Sequence, residues 1–369
     1  MLLASLILLP GAESAWGQEP ALSSNKAFYS GPPHNGGLFL LRGSWNSLNQ
    51  FEKPTVAVVG NEFLALDQPV LYTGLEDRYC ETCWQFYTEW HGVWFTSIST
   101  SGLCQSLLQR VEFTSEKPMN GMDVAFDSDS GYGLVVWSMG GRPENGGFYL
   151  NHDVYGYVLD ASGNPVGNSF FIAGPAPEQD HELEPRVAAT SGGHFVVTYR
   201  RFLGSDWEPW NEPGQQAVCA RAVHIWYTTP TVSPELTIEI EGFQADVARL
   251  DDERVAVAYV YMDRITGKRG LKAIVLNHAP YPVAPPTTLV GEMGCNNWDT
   301  KNGPAVACNE AEHHAVVLYN ADPNYLDMEI RVRGATVTPS SGQVVPDLDY
   351  PLHLQPVAPR RAQSSPAIA

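Results

Sequence analysis

The residues best suited to chemistry in this sequence are aromatic rings and carboxylates concentrated in a few long, irregular stretches. Residues 80–92 read CETCWQFYTEWHG, and residues 202–216 read FLGSDWEPWNEPGQQ. Flat rings stack on the C–H faces of sugars, and carboxylates accept hydrogen bonds from hydroxyl groups. The aromatic candidates for ligand binding are Trp84, Tyr87, Trp90, Trp207, Trp210 and Trp298. In the alternative interpretation, these stretches fold over one another and bury their own tryptophans as hydrophobic caps.

The carboxylates of the same stretches allow a hydrolytic interpretation. Glycoside hydrolysis uses two carboxylates about 5–10 Å apart across a cleft. The candidate catalytic residues are Asp206, Glu208 and Glu212, together with Asp180 or Glu182. Because acidic residues are abundant here, such a pair would arise easily. The sequence therefore favours binding over catalysis.

No metal or cofactor is predicted. His181 stands among Asp180, Glu182 and Glu184, a pattern that fits a solvated acidic loop better than a metal site. FDSDSG at 126–131 suggests calcium only weakly, because it lacks the alternating oxygen donors and final glutamate of a calcium loop.

The six cysteines predict disulfide bonds, provided that the chain is exported. Cys80-x-x-Cys83 is expected to be a loop staple, and Cys295 and Cys308 are the other close pair. Residues 2–9 form an apolar run too short to span a bilayer, and Ala15-Trp16-Gly17 offers small residues for cleavage. We therefore expect a signal peptide at 1–17 and an extracellular or periplasmic protein.

The charge balance narrows the range of partners. The 369 residues include 41 Asp or Glu and 22 Lys or Arg, giving a formal net charge of −19. Nucleic acids and anionic membranes are recognised mainly through Lys and Arg, so neither is expected as a partner. A glycan or an extracellular protein remains, and the chain is expected to be monomeric.

A repeat organises the elements that must position these residues. A Val-Ala or Ile-Ala pair recurs at residues 56, 124, 187, 247, 306 and 368, in steps of 68, 63, 60, 59 and 62 residues. Each of the first five copies is followed by further short runs rich in Val, Ile, Tyr, Phe and Thr, separated by Gly, Pro, Asn and Ser. These are strand and hairpin signals. Four antiparallel strands at a steady period predict an all-β protein, a β-propeller. An array of β-sandwiches is the alternative, but it would need a longer period.

The blade count follows from the two ends of the repeat. Five units begin near residues 53, 121, 184, 244 and 303. The segment 364–369 has only a first strand, whereas residues 26–52 have material for the other three. We expect these two segments to pair and complete a sixth blade of a single domain, 18–369. Five blades is the alternative.

Two stretches carry a family resemblance. PRVAATSGGHFVVTYR (185–200) and DVYGYVLDASGNPVGNSFFIAG (153–174) resemble the repeats of large secreted bacterial proteins. The shared pattern is Pro-x-Val-Ala, Gly-Gly-Phe-Val-Val-x-Trp and Asp-x-x-Gly-x-Pro-x-Gly. The resemblance implies propeller-like blades and export. It implies no catalytic residues, because most of these proteins have no assigned activity.

The propeller topology then gathers the candidate residues. Connections between strands 2 and 3 and between strands 4 and 1 emerge at one face, which would collect 68–92, 139–152, 202–216, 175–184 and 292–302. The sequence predicts a secreted recognition protein that binds a carbohydrate at this face. A glycoside hydrolase and a protein–protein scaffold are the alternatives. Sialidases are the six-bladed enzymes to compare, but the sequence has no Ser-x-Asp-x-Gly-x-x-Trp box and no evident arginine cluster.

Overall fold

The structure is a computed structural model, and the residues that it describes form β-strands, turns and no helix. The all-β class predicted from the sequence is therefore confirmed. No helix that could cross a membrane occurs in this part of the chain. The described residues are 55–59, 62–67, 71–72, 89–99, 109–114, 119–141, 150–174, 180–203, 216–263, 265–293, 303–321 and 329–351.

The strands form five antiparallel sheets, numbered here along the chain. Sheet 1 contains β1 (Thr55–Val59), β2 (Glu62–Asp67), β3 (Leu71–Tyr72), β4 (Glu89–Ser99) and β5 (Gln109–Thr114). Sheet 2 contains β6 (Met119–Asp127), β7 (Tyr132–Gly141), β8 (Leu150–Leu159) and β9 (Pro165–Ala173). Sheet 3 contains β10 (Asp180–Ala189), β11 (His194–Leu203), β12 (Gln216–Trp226), β13 (Thr229–Val232) and β14 (Leu236–Ile240). Sheet 4 contains β15 (Gly242–Arg249), β16 (Arg254–Met262), β17 (Arg269–Asn277) and β18 (Thr287–Val290). Sheet 5 contains β19 (Ala305–Asn309), β20 (His314–Ala321), β21 (Glu329–Val337) and β22 (Val344–Pro351).

Sheets 2, 4 and 5 are simple four-stranded meanders. In sheet 3, β13 and β14 both pair with β12 and share the fourth position. In sheet 1, β4 pairs with β2, β3 and β5. The first strand of every sheet carries one Val-Ala pair of the repeat. The segments 26–52 and 364–369, expected to form a sixth blade, lie outside the described residues.

Successive sheets pack face to face, so the middle strands are buried on both sides. On β11, Phe195 and Val197 belong to the core between sheets 2 and 3, whereas Val196 belongs to the core between sheets 3 and 4. On β7, Val136 faces sheet 3, and Trp137 lies in a separate cluster with Met122. This two-sided burial explains why these strands read as unbroken apolar runs.

The first strands of neighbouring sheets are joined by aspartates of the repeat. Oδ2 of Asp123 on β6 accepts a hydrogen bond of 2.9 Å from the backbone N–H of Val187 on β10. Oδ2 of Asp246 on β15 accepts one of 2.8 Å from the N–H of Val306 on β19. In both cases the donor is the valine of the next Val-Ala pair. The residue before the pair in one sheet thus satisfies the backbone of the pair in the next.

A second recurring contact involves tyrosines on the second strands of sheets 3, 4 and 5. The hydroxyls of Tyr199, Tyr259 and Tyr319 donate to carboxylates at 2.5, 3.2 and 3.2 Å, respectively. The acceptors are Glu235, Glu239 and Asp349. Each ring is buried, and each hydroxyl reaches a partner near the outer strands.

The two cysteines that the structure describes do not form the expected disulfide bonds. Cys219 and Cys308 are free thiols, and burial raises the pKa of each to about 12. Cys219 is enclosed in the core between sheets 2 and 3, where it packs as a small apolar side chain. The remaining four cysteines lie outside the described residues.

The sheets have two different ends. At the turn end, strands 1 and 2 and strands 3 and 4 are joined. The Asp160 Oδ1 atom there accepts 2.8 Å hydrogen bonds from the N–H groups of Ser162 and Asn164, which closes the turn of the Asp-x-x-Gly-x-Pro motif. At the loop end, strands 2 and 3 and successive sheets are joined, and the connections include 142–149, 175–179 and 204–215.

We predict that replacing either inter-sheet aspartate, Asp123→Ala or Asp246→Ala, lowers the free energy of unfolding by about 1–3 kcal/mol. The loss follows because a valine N–H at a packed interface between sheets loses its acceptor. Urea unfolding of each variant measures the effect. Asp129→Ala, at an exposed position of the adjacent turn, is the control and should change stability little. Equal midpoints for Asp123→Ala and this control would contradict the prediction.

Candidate functional site

The structure describes only part of the predicted ligand face. Most of the aromatic and acidic candidates lie outside the described residues: Trp84, Tyr87, Asp206, Trp207, Glu208, Trp210, Glu212 and Trp298. Trp90 lies on β4 and Asp180 is the first residue of β10, and for both only the backbone is described. Glu182 is the candidate whose side chain can be placed.

The acidic segment 175–184 was predicted from the sequence to be a loop, but its second half, from Asp180, is part of a strand. Asp180, His181, Glu182 and Glu184 lie on β10, and the strand pairs with β11 from Asp180 onwards. His181 and Glu182 are buried, with 9% and 4% of their surfaces exposed. The interpretation of this segment as a solvated loop was therefore wrong. The strand extends to Asp180 because β11 is long enough to pair with it as far as Leu203.

A group of buried polar side chains lies at this end of sheets 2 and 3. We call it the polar cluster, and its members are His152, His181, Glu184 and Arg200. The strands that carry them border the connections 142–149, 175–179 and 204–215. The last of these contains the predicted binding and catalytic candidates from Asp206 to Glu212. The polar cluster is therefore the base from which those connections emerge.

Glu184 and Arg200 form the charged centre of the polar cluster. Nη2 of Arg200 lies 3.3 Å from Oε1 of Glu184, and the arginine side chain is 4% exposed. Glu184 occupies a β-bulge of β10, between Leu183 and Arg186, with a φ of 55°. A non-glycine residue with positive φ is uncommon and costs about 1–3 kcal/mol. The fold therefore holds this carboxylate in a strained position against a buried guanidinium.

The same bulge in sheet 2 has a glycine instead. Gly121 lies three residues before Val124, as Glu184 lies three before Val187, and its φ is 77°. The two bulges touch, because a Cβ on residue 121 would lie 2.8 Å from Cα of Glu184. Sheet 3 thus places a charged side chain where sheet 2 has none.

Two imidazoles lie beside this pair. The His152 N–H donates to Nδ1 of His181 at 3.5 Å, and the two ring centroids are 5.6 Å apart. Burial, with His181 nearby, lowers the pKa of His152 to about 3. Burial, and then the charge of Arg200, lower the pKa of His181. Both rings are therefore neutral at pH 7, and each offers one donor and one acceptor.

Glu182 and Gln216 are further buried polar residues on the strands that border the polar cluster. Glu182 lies directly opposite Arg201 in the pairing of β10 with β11. Arg201 also forms an ion pair with Glu235. Gln216 is the first residue of β12, and its carbonyl accepts a 2.8 Å hydrogen bond from the Glu241 N–H. The polar cluster and these neighbouring residues thus offer carboxylates, guanidinium groups, neutral imidazoles and an amide, which are groups that can hydrogen-bond to hydroxyl-rich ligands.

Arg200 and His152 belong to this site although neither was predicted from the sequence. An alignment of the repeats could have found them, because it places Glu184 at the position that Gly121 has in the preceding repeat. A charged residue at a glycine position indicates a special role. A partner for that charge had to be sought on the neighbouring strand.

The segment 126–131, which suggested calcium weakly, forms a turn that is closed by hydrogen bonds to Asp127. Asp127 is fully buried, and its carboxylate accepts backbone hydrogen bonds from Asp129, Ser130 and Gly193, the last at 2.6 Å. Its oxygens thus close the turn and join sheets 2 and 3. Among the residues whose structure is described, no group of three or more His, Cys, Asp or Glu side chains is arranged to hold a metal ion.

Comparison with known proteins identifies the fold. No family model matches the sequence, and no curated protein does. A mutant form of NanB sialidase from Streptococcus pneumoniae matches with a TM-score of 0.51 at 8% identity, over 82% of this chain and 61% of that one. A protein of unknown function from Dyadobacter fermentans matches with a TM-score of 0.49 at 16% identity, over 73% of this chain and 71% of that one. A Hadza microbial sialidase matches with a TM-score of 0.47 at 10% identity, over 81% and 58%.

The chain has a β-propeller fold. This conclusion rests on the likeness to NanB sialidase together with the consecutive four- and five-stranded antiparallel sheets. At 8% identity the likeness concerns the fold alone. The chain spans about three fifths of the length of the two sialidases named here.

We predict that stability depends on pH through His152. The unfolded chain takes up a proton near pH 6.5, whereas the folded ring resists it until about pH 3. Stability is therefore complete above pH 6.5 and falls as the pH decreases through this window. His152→Gln should flatten the acid side of the stability profile by up to about 1.4 kcal/mol per pH unit. Urea unfolding at several pH values tests this, and parallel profiles for both proteins would contradict it.

A second prediction concerns the Glu184–Arg200 pair. Glu184→Gly relieves the strained φ but leaves a buried guanidinium without this carboxylate, so we expect a loss of about 2–4 kcal/mol. In the double variant Glu184→Gly with Arg200→Met, most of that stability should return because the buried guanidinium is removed together with its carboxylate. A double-mutant cycle by urea unfolding measures the coupling. Additive losses would show that the two side chains do not act as a pair.

Proposed function

We propose that this chain is a secreted, six-bladed β-propeller that recognises a glycan at its loop end. The observation that carries the proposal is the polar cluster at the base of the connections 142–149, 175–179 and 204–215. Its fixed donors and acceptors suit the hydroxyl groups of a sugar. Trp207 and Trp210, in the connection 204–215, would supply aromatic rings for stacking.

The strain at Glu184 supports recognition over a purely structural role. A glycine at this bulge, as in sheet 2, would avoid the unfavourable φ and the buried charge. Positions held in such conformations cluster at functional sites, because the surrounding fold must keep them there. The Glu184 side chain is 20% exposed, whereas that of Arg200 is 4% exposed. The Oε2 atom of Glu184 is buried and accepts no hydrogen bond from the described residues, so it is the acceptor of the pair that is left for a ligand.

The sixth blade and the export of the chain are the remaining parts of the proposal. Pairing of 26–52 with 364–369 would give the ring a sixth sheet and remove two open sheet edges. NanB, which shares the fold, is named a sialidase, and this makes a sugar the first ligand to test. Export would follow from the signal-like residues 1–17.

One observation favours a glycoside hydrolase as the second candidate. Glu182 is a buried carboxylate at the base of the connection that contains Asp206, Glu208 and Glu212. A general acid requires a carboxyl group in such a low-dielectric position, facing a second carboxylate across the ligand. Binding and hydrolysis would then use the same loop end.

We predict that Trp207→Ala and Trp210→Ala each weaken retention on the cognate polysaccharide by about tenfold or more, because each removes a stacking platform. The full chain would be passed over a panel of immobilised polysaccharides, and the bound fraction measured. Tyr281→Ala is the matched control, because this exposed aromatic residue follows β17 at the turn end. If none of the polysaccharides retains the chain, glycan recognition is contradicted, and a protein-binding scaffold becomes the better interpretation.

The same samples distinguish binding from catalysis. Newly released reducing ends, abolished by Glu182→Gln but not by Trp207→Ala, would establish the hydrolase. Retention without any release would support recognition alone. The double variant Glu184→Gly with Arg200→Met tests the polar cluster, since it should stay folded and lose retention.

A further inference from the structure

The turn end of sheet 3 carries two exposed aromatic side chains. Trp226 is 62% exposed and Tyr227 is 78% exposed, at the tip of the hairpin that joins β12 to β13. Their rings meet edge to face, with centroids 5.2 Å apart and planes at 87°. The two nearly perpendicular rings form an aromatic corner, in which a ligand could contact the face of each ring. Exposed aromatics of this size call for an explanation, because a propeller has ample core in which to bury them.

Three histidines extend this corner into a row of touching rings. His224 lies 6.0 Å from Trp226, and its ring stacks on that of His194 at 4.0 Å with planes within 7°. His278, from sheet 4, follows at 4.6 Å from His194. Because the faces of His194 and His224 cover one another, a ligand beside these half-buried rings would meet their edges.

His194 supplies hydrogen bonding without charge. Burial and the two neighbouring imidazoles lower the pKa of His194, against an opposing effect of Asp127. The ring is therefore neutral at pH 7 and offers both a donor and an acceptor. Exposed threonines at 228, 229 and 231 add hydroxyl groups beside the aromatic corner.

The turn that displays these rings has an unfavourable sequence for its conformation. Tyr227 and Thr228 form the two-residue loop, with φ values of 46° and 70°. Positive φ at both positions is the signature of a type I′ turn, which favours Asn-Gly. A bulky or β-branched residue there is a conformational outlier. The chain thus keeps an aromatic side chain at a position where stability alone would select a small residue.

The charge pattern of the hairpin is also distinctive. Residues 222–233 read AVHIWYTTPTVS and contain no Asp, Glu, Lys or Arg, in a chain with a formal net charge of −19. A hairpin without charged side chains suits a ligand that is uncharged. Rings, imidazole edges and hydroxyls without charges are the groups that bind a neutral sugar ring.

We propose that Trp226, Tyr227 and the adjoining imidazole edges form a second binding site, at the turn end of sheets 3 and 4, for a neutral sugar unit of an oligosaccharide. This site is independent of the loop end and of the polar cluster, which lie at the opposite ends of the same strands. A polysaccharide that reached both ends would be held at two points, and the second contact would raise the avidity.

A peptide strand is the less favoured occupant. β13 is an edge strand to which a peptide could add, but it is four residues long and includes Pro230, which has no N–H to donate. Two exposed rings on one hairpin tip also offer far less area than the roughly 800 Å² per partner of a stable protein interface.

Fluorine NMR on the full chain, labelled with fluorotryptophan, tests the proposal. The chain has ten tryptophans, and the Trp226 signal is assigned by its loss in Trp226→Phe. The probes are cellohexaose, xylohexaose, mannohexaose and chitohexaose, each up to about 10 mM. We expect the Trp226 signal to shift saturably with at least one probe. The shift should persist in Trp210→Ala, which separates this site from the loop end. A Trp226 signal that none of the four probes moves would overturn the proposal.

Two variants complete the test. Tyr227→Ala should weaken the affinity reported by Trp226 about tenfold. The paired change Tyr227→Asn with Thr228→Gly keeps the turn, so it should raise the midpoint of thermal unfolding while weakening affinity to the same extent. Unchanged affinity in either variant would overturn the proposal. A Trp226 shift that depends on protein concentration without sugar would also overturn it, because a second copy of the chain would then occupy the site.

Discussion

A hydrogen bond from the valine N–H of one first strand to an aspartate of the preceding sheet, made by Val187 and Val306, is the contact on which the spacing of these sheets depends. A first strand has a sheet partner on one side alone, so on its other side the backbone must find acceptors elsewhere. Asp123 and Asp246 provide them for Val187 and Val306, at 2.9 and 2.8 Å. Because the acceptor belongs to the neighbouring sheet, satisfying the backbone also fixes the distance between sheets.

Sheet 3 departs from this pattern, and the departure coincides with its unusual chemistry. The residue before its Val-Ala pair is Arg186, which cannot accept a hydrogen bond from Val247. Its guanidinium instead donates to the carbonyls of Met122 and Pro185 and lies 3.9 Å from Asp246. At this position a cation therefore takes the place of the aspartate between the first strands of sheets 3 and 4. The strained Glu184, the stacked His194 and the exposed Trp226 all belong to this same sheet.

The repeat could be predicted because it is set by local chemistry. Val-Ala pairs mark first strands, and the turn signal at Asp160 is closed by the carboxylate of that residue. The extent of β10 could not be predicted in the same way, because DHELE at 180–184 has the composition of a loop. Its strand character comes from pairing with β11, more than ten residues away. The contact of His194 with His224 likewise depends on register, since the two residues are thirty positions apart and lie opposite each other.

Two-sided packing explains how one sheet can hold so many departures from the pattern. Each strained residue in sheet 3 costs about 1–3 kcal/mol. Burial of a single Val or Phe side chain contributes about 1.5–3 kcal/mol. Sheet 3 has buried side chains on both faces, such as Phe195 toward sheet 2 and Val196 toward sheet 4. One or two of these contacts offset each strained position, and the regular sheets on either side hold the strands in place. Specialised residues can therefore accumulate in one sheet, and they do so at both of its ends, where the strands leave the packed core and can meet a ligand.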